Sequence, residues 1–373
     1  MLKTPEGLDD EQRAAPPGPG EWHGRFPRNE IISLLDVDRP FNLAESTSRD
    51  LTVGELLDLA GLDRIRGLKL GYGTSAGSIA LREEIARACK VPPEQVVTTQ
   101  GTALGLFLLA FEACRPGDEA VLATPCFPPS RDSLLGAGVD VREVRLSFDD
   151  AYRLDLDRME AALSPRTRLV SIASPQNPGG VQTSRADVER LLAAMQERSP
   201  RALLFIDETY REASYGDAPV AESLAALDPR VVTGSSVSKA LGAPGLRTGW
   251  LTVADADLRS RLVVARMNTV ISGSVLDEAL ATVLLQHREH VLAPRRTLLA
   301  GALCCLRLRA DAFDAAAVAR FWELLPRHDL QLACGTWFGE SDRAFRLGFG
   351  YLPPERLGPA LSALSASLDA AAA

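Results

Sequence analysis

Lys239 sits in the run Ser236-Val237-Ser238-Lys239, with Arg247 and then Gly249-Trp250 shortly after it. A lysine that must stay a free amine until it meets an aldehyde, beside hydroxyls and an arginine suited to a phosphate, fits an enzyme that uses a phosphorylated aldehyde cofactor. Taken by itself, the run also fits an ordinary surface lysine in a Ser/Gly-rich loop. Its meaning depends on residues elsewhere in the chain.

Pyridoxal 5′-phosphate (PLP) is such an aldehyde, and its needs can be matched group by group. Its ring nitrogen must stay protonated, which calls for a carboxylate against it. Asp207, ending the apolar run ALLFID, can fill that role or simply cap a turn. Tyr210 and Asn177, the latter in SPQNPGG, can hydrogen-bond the phenolic oxygen, although Asn-Pro-Gly-Gly also makes a tight turn. Gly101-Thr102-Ala103 opens the apolar stretch LGLFLLAF and offers a helix N-terminus to the phosphate. Arg247, Ser236 and Ser238 would complete that cup. Phe127 in TPCFPP is placed to stack on the ring or to pack in the core. Arg346, a cation in the apolar piece AFRLGFG, can hold an amino acid's α-carboxylate through its fork or lie at a strand edge.

These residues need elements to place them. From about 95 to 255 the chain alternates short apolar, β-branched runs (QVVTT, EAVLATP, TRLVSIASP, ALLFIDE, RVVTGSS, WLTVA) with longer stretches of helical period. That is the pattern of a doubly wound, mostly parallel α/β domain, whose ligands sit beyond the carboxyl ends of the strands. Gly101, Phe127, Asn177, Asp207 and Lys239 all follow such runs. After 255 the pattern turns helical, through Cys304 and Cys305 in LLAGALCCLRL, and then mixed before an alanine-rich terminal helix. The expected division is an arm at 1–21, a large cofactor domain at 50–265, and a smaller α+β domain built from 22–49 plus 266–373.

Bulk properties narrow the classes. The 373 residues are 46% hydrophobic and 24% charged, with net charge -8 and dispersed basic residues, so a nucleic-acid partner is not expected. No stretch reaches the ~18 apolar residues of a membrane span, and the acidic, Pro/Gly-rich start lacks a leader's pattern. A cytoplasmic protein is expected. The six cysteines form no CxxC pair, so they read as buried reduced thiols and no metal site is expected.

The longer motifs resemble those of fold-type I PLP-dependent enzymes, in particular the class I/II aminotransferase family. SSVSKALGAPGLRTGW resembles the family's lysine motif, ASPQNPGG its Asn-Pro-x-Gly turn, and FIDETY its Asp-Glu-x-Tyr. LGYGTSAGSIALREEIA and CGTWFGESDRAFRLGFG resemble its early Tyr-Gly and late Arg segments. The resemblance implies a seven-stranded large domain, a homodimer with the active site at the interface, and Tyr72 reaching the partner's phosphate. It also implies that Asn177 and Arg346 hold the substrate carboxylate. Two departures stand out: Gly179 replaces the usual Thr of the turn, and FNLAESTSRD, with Glu45, Ser46 and Arg49, replaces a small Gly-containing loop.

The reaction so implied is transamination between an L-amino acid and a 2-oxo acid through a Lys239 Schiff base. A specialised PLP enzyme on a polar or guanidino amino acid (a cyclase, an oxidase or hydroxylase, or an eliminase) is the alternative. Glu45 motivates it, since a carboxylate near the substrate can pair with a cationic side chain, although Glu45 also reads as a solvated loop residue. Aminotransferase-like ligand sensors of bacterial regulators share the fold but carry a DNA-binding domain, for which no helix-turn-helix or basic segment is seen here.

Overall fold

The computed structural model describes residues 23–213, 220–298 and 303–373, so the expected arm at 1–21 lies outside the described residues. After a short strand β1 (Phe41–Asn42) come β2 (Val96–Gln100), β3 (Glu119–Thr124), β4 (Asp140–Arg145), β5 (Thr167–Ala173), β6 (Leu203–Asp207), β7 (Val231–Ser236) and β8 (Thr248–Val253). β2 to β8 form one seven-stranded sheet in the order β2-β8-β7-β6-β5-β3-β4. Only β8 runs against its neighbours. This is the expected fold-type I α/β architecture.

The six apolar runs are strands because helices cover both faces, which leaves no polar side to alternate with. On one face the helices Gly101–Ala113 and Ala256–Val270 bury Leu109, Phe205, Val232 and Leu262. On the other, Leu156–Ala162 and Arg185–Arg198 bury Met159, Val170, Leu191 and Ile206. Each such aliphatic side chain contributes roughly 1.5–3 kcal/mol of burial. β4 escapes the apolar pattern because it is an edge strand: Asp140, Arg142, Glu143 and Arg145 are exposed, and charge on an edge blocks pairing with another chain.

A second, smaller unit holds β9 (Leu303–Arg307), β10 (Leu330–Gln331), β11 (Ala333–Cys334) and β12 (Ala344–Gly348). β9, β12 and β11 form an antiparallel sheet, and β1 pairs in parallel with β10, which brings the chain's early residues to this unit. The helices Ala315–Leu324 and Pro354–Ala372 cover it, with Leu43, Phe321, Phe345 and Leu364 in its core.

Two expectations change here. Cys304 and Cys305 lie in β9 rather than in a helix, because pairing with Arg346 and Leu347 of β12 overrides the local helix preference of a Leu/Ala-rich run. All six cysteines are free, but only Cys89, Cys114 and Cys126 are buried; Cys304, Cys305 and Cys334 are partly exposed. In addition, the helices after 265 begin against the large sheet. Leu280, Leu284 and Leu292 share one packed layer with Leu81, Ile85 and Trp250.

That layer holds a buried charge pair. Arg266 Nη2 lies 3.4 Å from Glu278 Oε1, with the guanidinium fully buried. Glu278 also accepts from Ser78 N and Thr98 Oγ1, each at 2.8 Å, and Arg266 donates to the Ser75 carbonyl at 2.6 Å. The network fixes the segment that follows Tyr72.

Candidate active site

The carboxyl ends of β2, β3, β5, β6 and β7 open on one cleft of about 410 Å³. It is lined by Gly101, Thr102, Ala103, Phe127, Asn177 and Asp207, and by Tyr210, Ser236, Ser238, Lys239, Arg247 and Glu45. Arg346 stands behind this lining and reaches it through Asn177: Nη1 donates to Asn177 Oδ1 at 3.1 Å, while Nη2 donates to the Ala44 carbonyl at 2.6 Å. Its Nε is buried without a partner. Tyr72 is not brought to the cleft; its side chain is 87% exposed.

One end of the cleft is an anion cradle. The helix Gly101–Ala113 begins directly after β2, with Gly101 at φ 71, a conformation glycine adopts without strain. A Cβ on Gly101 would collide with the Arg247 guanidinium, and one on Gly249 would lie 2.6 Å from Thr102 N, so both glycines permit close approach. Arg247 itself takes the left-handed φ of 46, a strained backbone for a non-glycine residue, where its Nη1 donates to the Pro244 carbonyl at 2.9 Å. Thr102 Oγ1 is buried with no partner.

Deeper in the cleft, Asp207 is buried at the end of β6 and accepts from Thr209 N at 2.9 Å. Burial pushes its carboxyl above the ordinary range, against the pull of Thr209 and of the Lys239 charge. The Asn177 turn is closed by Gln176, whose Oε1 accepts from Gly179 N at 2.6 Å. A Cβ on Gly179 would lie 2.7 Å from that oxygen and from the Tyr152 ring, so glycine is the residue that fits this version of the turn.

Lys239 faces the loop that follows β1. Its Nζ is 3.3 Å from Glu45 Oε1 and 3.5 Å from Ser46 Oγ, and Ser46 Oγ is 2.7 Å from Tyr210 Oη. Burial pulls the Lys239 ammonium toward deprotonation, but the Tyr210 phenol and Glu45 outweigh it and leave its pKa above the ordinary value. Burial likewise pushes Glu45 up, while Lys239, Arg346 and the Ser46 amide outweigh it and leave its pKa below the ordinary value.

Some lining residues were not anticipated from the sequence. Thr47, whose hydroxyl is buried without a partner, and Thr209 belong to the cleft. So do Ile31, Ile32, Leu34 and Leu35, from a short helical segment pinned by Asn29 Nδ2 to the Trp337 carbonyl at 3.2 Å and by Trp337 Nε1 to Glu30 at 3.4 Å. The apolar run IISLL after Asn29 was the available signal. Arg49 points elsewhere, forming an ion pair with Glu55 on the exposed side of its loop. Among the described residues no cluster suits a metal ion.

The donor set fits PLP. A helix N-terminus, an unpartnered hydroxyl and a guanidinium suit its phosphate; a buried carboxylate, a phenol and a phenyl ring suit its pyridine ring; and an amine stands between them. Comparisons agree with this fit. The family described as aminotransferase class I and II matches residues 42–300. Capreomycidine synthase of Streptomyces vinaceus is 33% identical, over 88% of this chain and 89% of that protein. Histidinol-phosphate aminotransferase 1 of Mesorhizobium japonicum is 30% identical, over 71% of this chain and 72% of that protein. The crystal structure of a PLP-dependent aminotransferase from Streptococcus suis superposes with a TM-score of 0.83 at 24% identity, covering 92% of this chain and 98% of that one.

Proposed function

This chain belongs to the aminotransferase class I and II family and takes pyridoxal 5′-phosphate as cofactor, and we propose that it moves an amino group between an L-amino acid and a 2-oxo acid. The observation that carries this reading is the meeting of Lys239, Asp207 and the Arg346–Asn177 pair around one cleft. When bound, PLP supplies an electron sink that acidifies the α-proton of an attached amino acid.

The chain's own residues do the rest. The amides of Gly101, Thr102 and Ala103, the Thr102 hydroxyl, Ser236, Ser238 and Arg247 would hold the phosphate. A cation beside Asp207 reverses the effect of its burial, so the carboxylate stays ionised and keeps a proton on the ring nitrogen. Tyr210 and Asn177 hold the phenolic oxygen, and Phe127 packs on the ring. Arg346, whose Nε lacks a partner, receives the substrate α-carboxylate with Asn177. Lys239 Nζ is then the group placed to take the α-proton.

Incubation of the holoenzyme with single L-amino acids and 2-oxoglutarate tests the reading. Equal amounts of a new 2-oxo acid and glutamate are expected from wild type, and none from Lys239→Ala. Product formed without glutamate, or with oxygen uptake, rejects transamination. A second reading, a specialised PLP enzyme acting on a polar or guanidino amino acid, is favoured by Glu45 beside Lys239 and by the near-full-length likeness to a synthase. The same incubations without 2-oxoglutarate separate the two, since that reading needs no amino acceptor.

A further inference from the structure

The carboxylate of Glu45 is held in place more firmly than its sequence context suggests. Asn42 Oδ1 accepts from the amides of Ala44 and Glu45, each at 3.0 Å, and Ser46 N donates to Glu45 Oε1 at 2.7 Å. Ser48 N donates to the Lys239 carbonyl at 3.1 Å, tying the loop to the lysine's own turn. Gly348 of β12 lies so close that a Cβ there would overlap the Glu45 carbonyl. The backbone therefore fixes where this carboxylate can be.

The other charges in the cleft have separate partners. Arg346 is engaged by Asn177 and the Ala44 carbonyl, Asp207 by Thr209, and Arg247 faces Gly101. Of the groups around Lys239 (Glu45, Asp50, Asp207, Tyr210 and Arg346), Glu45 is the acid in ion-pair contact with Nζ. Ser46, fully buried, bridges toward Tyr210, so the loop after β1 touches both the amine and the phenol of the site.

We propose that Glu45 and Ser46 are positioning residues for proton transfer, aiming Lys239 Nζ at the substrate α-carbon and stabilising the ammonium that it becomes on taking the α-proton. The inference rests on the reading that Lys239 carries PLP and moves the α-proton. In that step the C–H bond breaks, the Nζ lone pair forms the new N–H bond, and the C–H electron pair stays on the substrate. The cation so created on Nζ lies against a carboxylate already in place, which makes the amine a stronger base. Ser46 accepts a hydrogen bond from the ammonium and restricts its rotation.

The test follows the visible absorption of the PLP-loaded protein against pH, together with kcat and KM for an amino acid that turns over. Removing a carboxylate in contact with a cationic nitrogen favours deprotonation. Glu45→Gln should lower the pH midpoint of the visible band by roughly 1 unit or more. Its kcat should fall on the order of 10-fold with KM little changed, and the pH profile of kcat should move with the band. Glu45→Asp, which keeps the charge one methylene further away, should move the midpoint less in the same direction and recover part of kcat. It supplies the measurement should Glu45→Gln fail to fold. A loaded variant whose midpoint matches wild type overturns the inference. So does a rise in KM at constant kcat, which makes Glu45 a substrate contact instead. Wild-type protein that never acquires a visible band with PLP overturns the function proposed above, and this inference with it.

Discussion

Arg346 shows how much one buried cation can be asked to do. At 2% exposure it donates to Asn177 and to a carbonyl, its buried Nε has no partner, and Asn177 links it to the cleft. Arg346→Ala should cost roughly 2–5 kcal/mol of transition-state binding, read as a loss of about 1.5 to 3.5 orders of magnitude in kcat/KM for the amino acid. Normal cofactor loading by that variant would show that the loss lies with the substrate. The Lys239–Glu45 pair makes a different prediction, for the protein stripped of cofactor. Glu45 lies below its ordinary pKa, so its contribution to stability is present above about pH 4.3 and is lost as pH falls through its folded value. Lys239 lies above its ordinary pKa, so its contribution is complete below about pH 10.4 and is lost as pH rises through its folded value. The difference in Tm between stripped wild type and Glu45→Gln should therefore be largest between these limits and shrink at both ends. A difference independent of pH would assign it to packing.

Elements, rather than single side chains, hold the cleft's walls in register. The strand-to-helix turn at Gly101 and the crossing of Gly249 behind it bring Arg247 to the helix N-terminus. The segment after Tyr72 depends on the Arg266–Glu278 pair, since Ser75 and Ser78 bind its two halves. Breaking a buried pair by removing one partner leaves an uncompensated charge. Glu278→Ala should destabilise the protein by about 3–5 kcal/mol, measured by denaturant unfolding. Replacing both charges by apolar residues of similar volume should restore much of that loss. A single variant as stable as wild type would show that water reaches Arg266. Such a network was not legible in the sequence, because its members are joined only by the packing of helices and a loop distant in the chain.

At the scale of the whole molecule, the described chain leaves an apolar surface uncovered. Tyr72 and Leu70 are almost fully exposed, and Val264, Met267 and Ile271 form an exposed stripe near them, where Gly73 N donates to Ser272 Oγ at 3.2 Å. This surface suits the expected homodimer, in which Tyr72 would serve the partner's phosphate. Light scattering should give twice the chain mass, and Met267→Asp should lower it and weaken PLP binding together; a wild-type monomer with full cofactor affinity would reject the dimer. No helix among the described residues is long and apolar enough to cross a membrane. The sequence alone determined the alternating apolar runs, hence the parallel sheet. It also determined the polar residues at the strand ends, because burial on both faces and ligand binding at the carboxyl edge both leave local marks in residue type. The edge strand β4 and strand β9 escaped it, since exposure and cross-strand pairing decided those elements against local preference. Only the tertiary structure decided that Glu45, carried in by the pairing of β1 with β10, stands against Lys239. Residues far apart in the chain meet where the loop after β1 crosses the turn that carries Lys239, and no local pattern encodes that meeting.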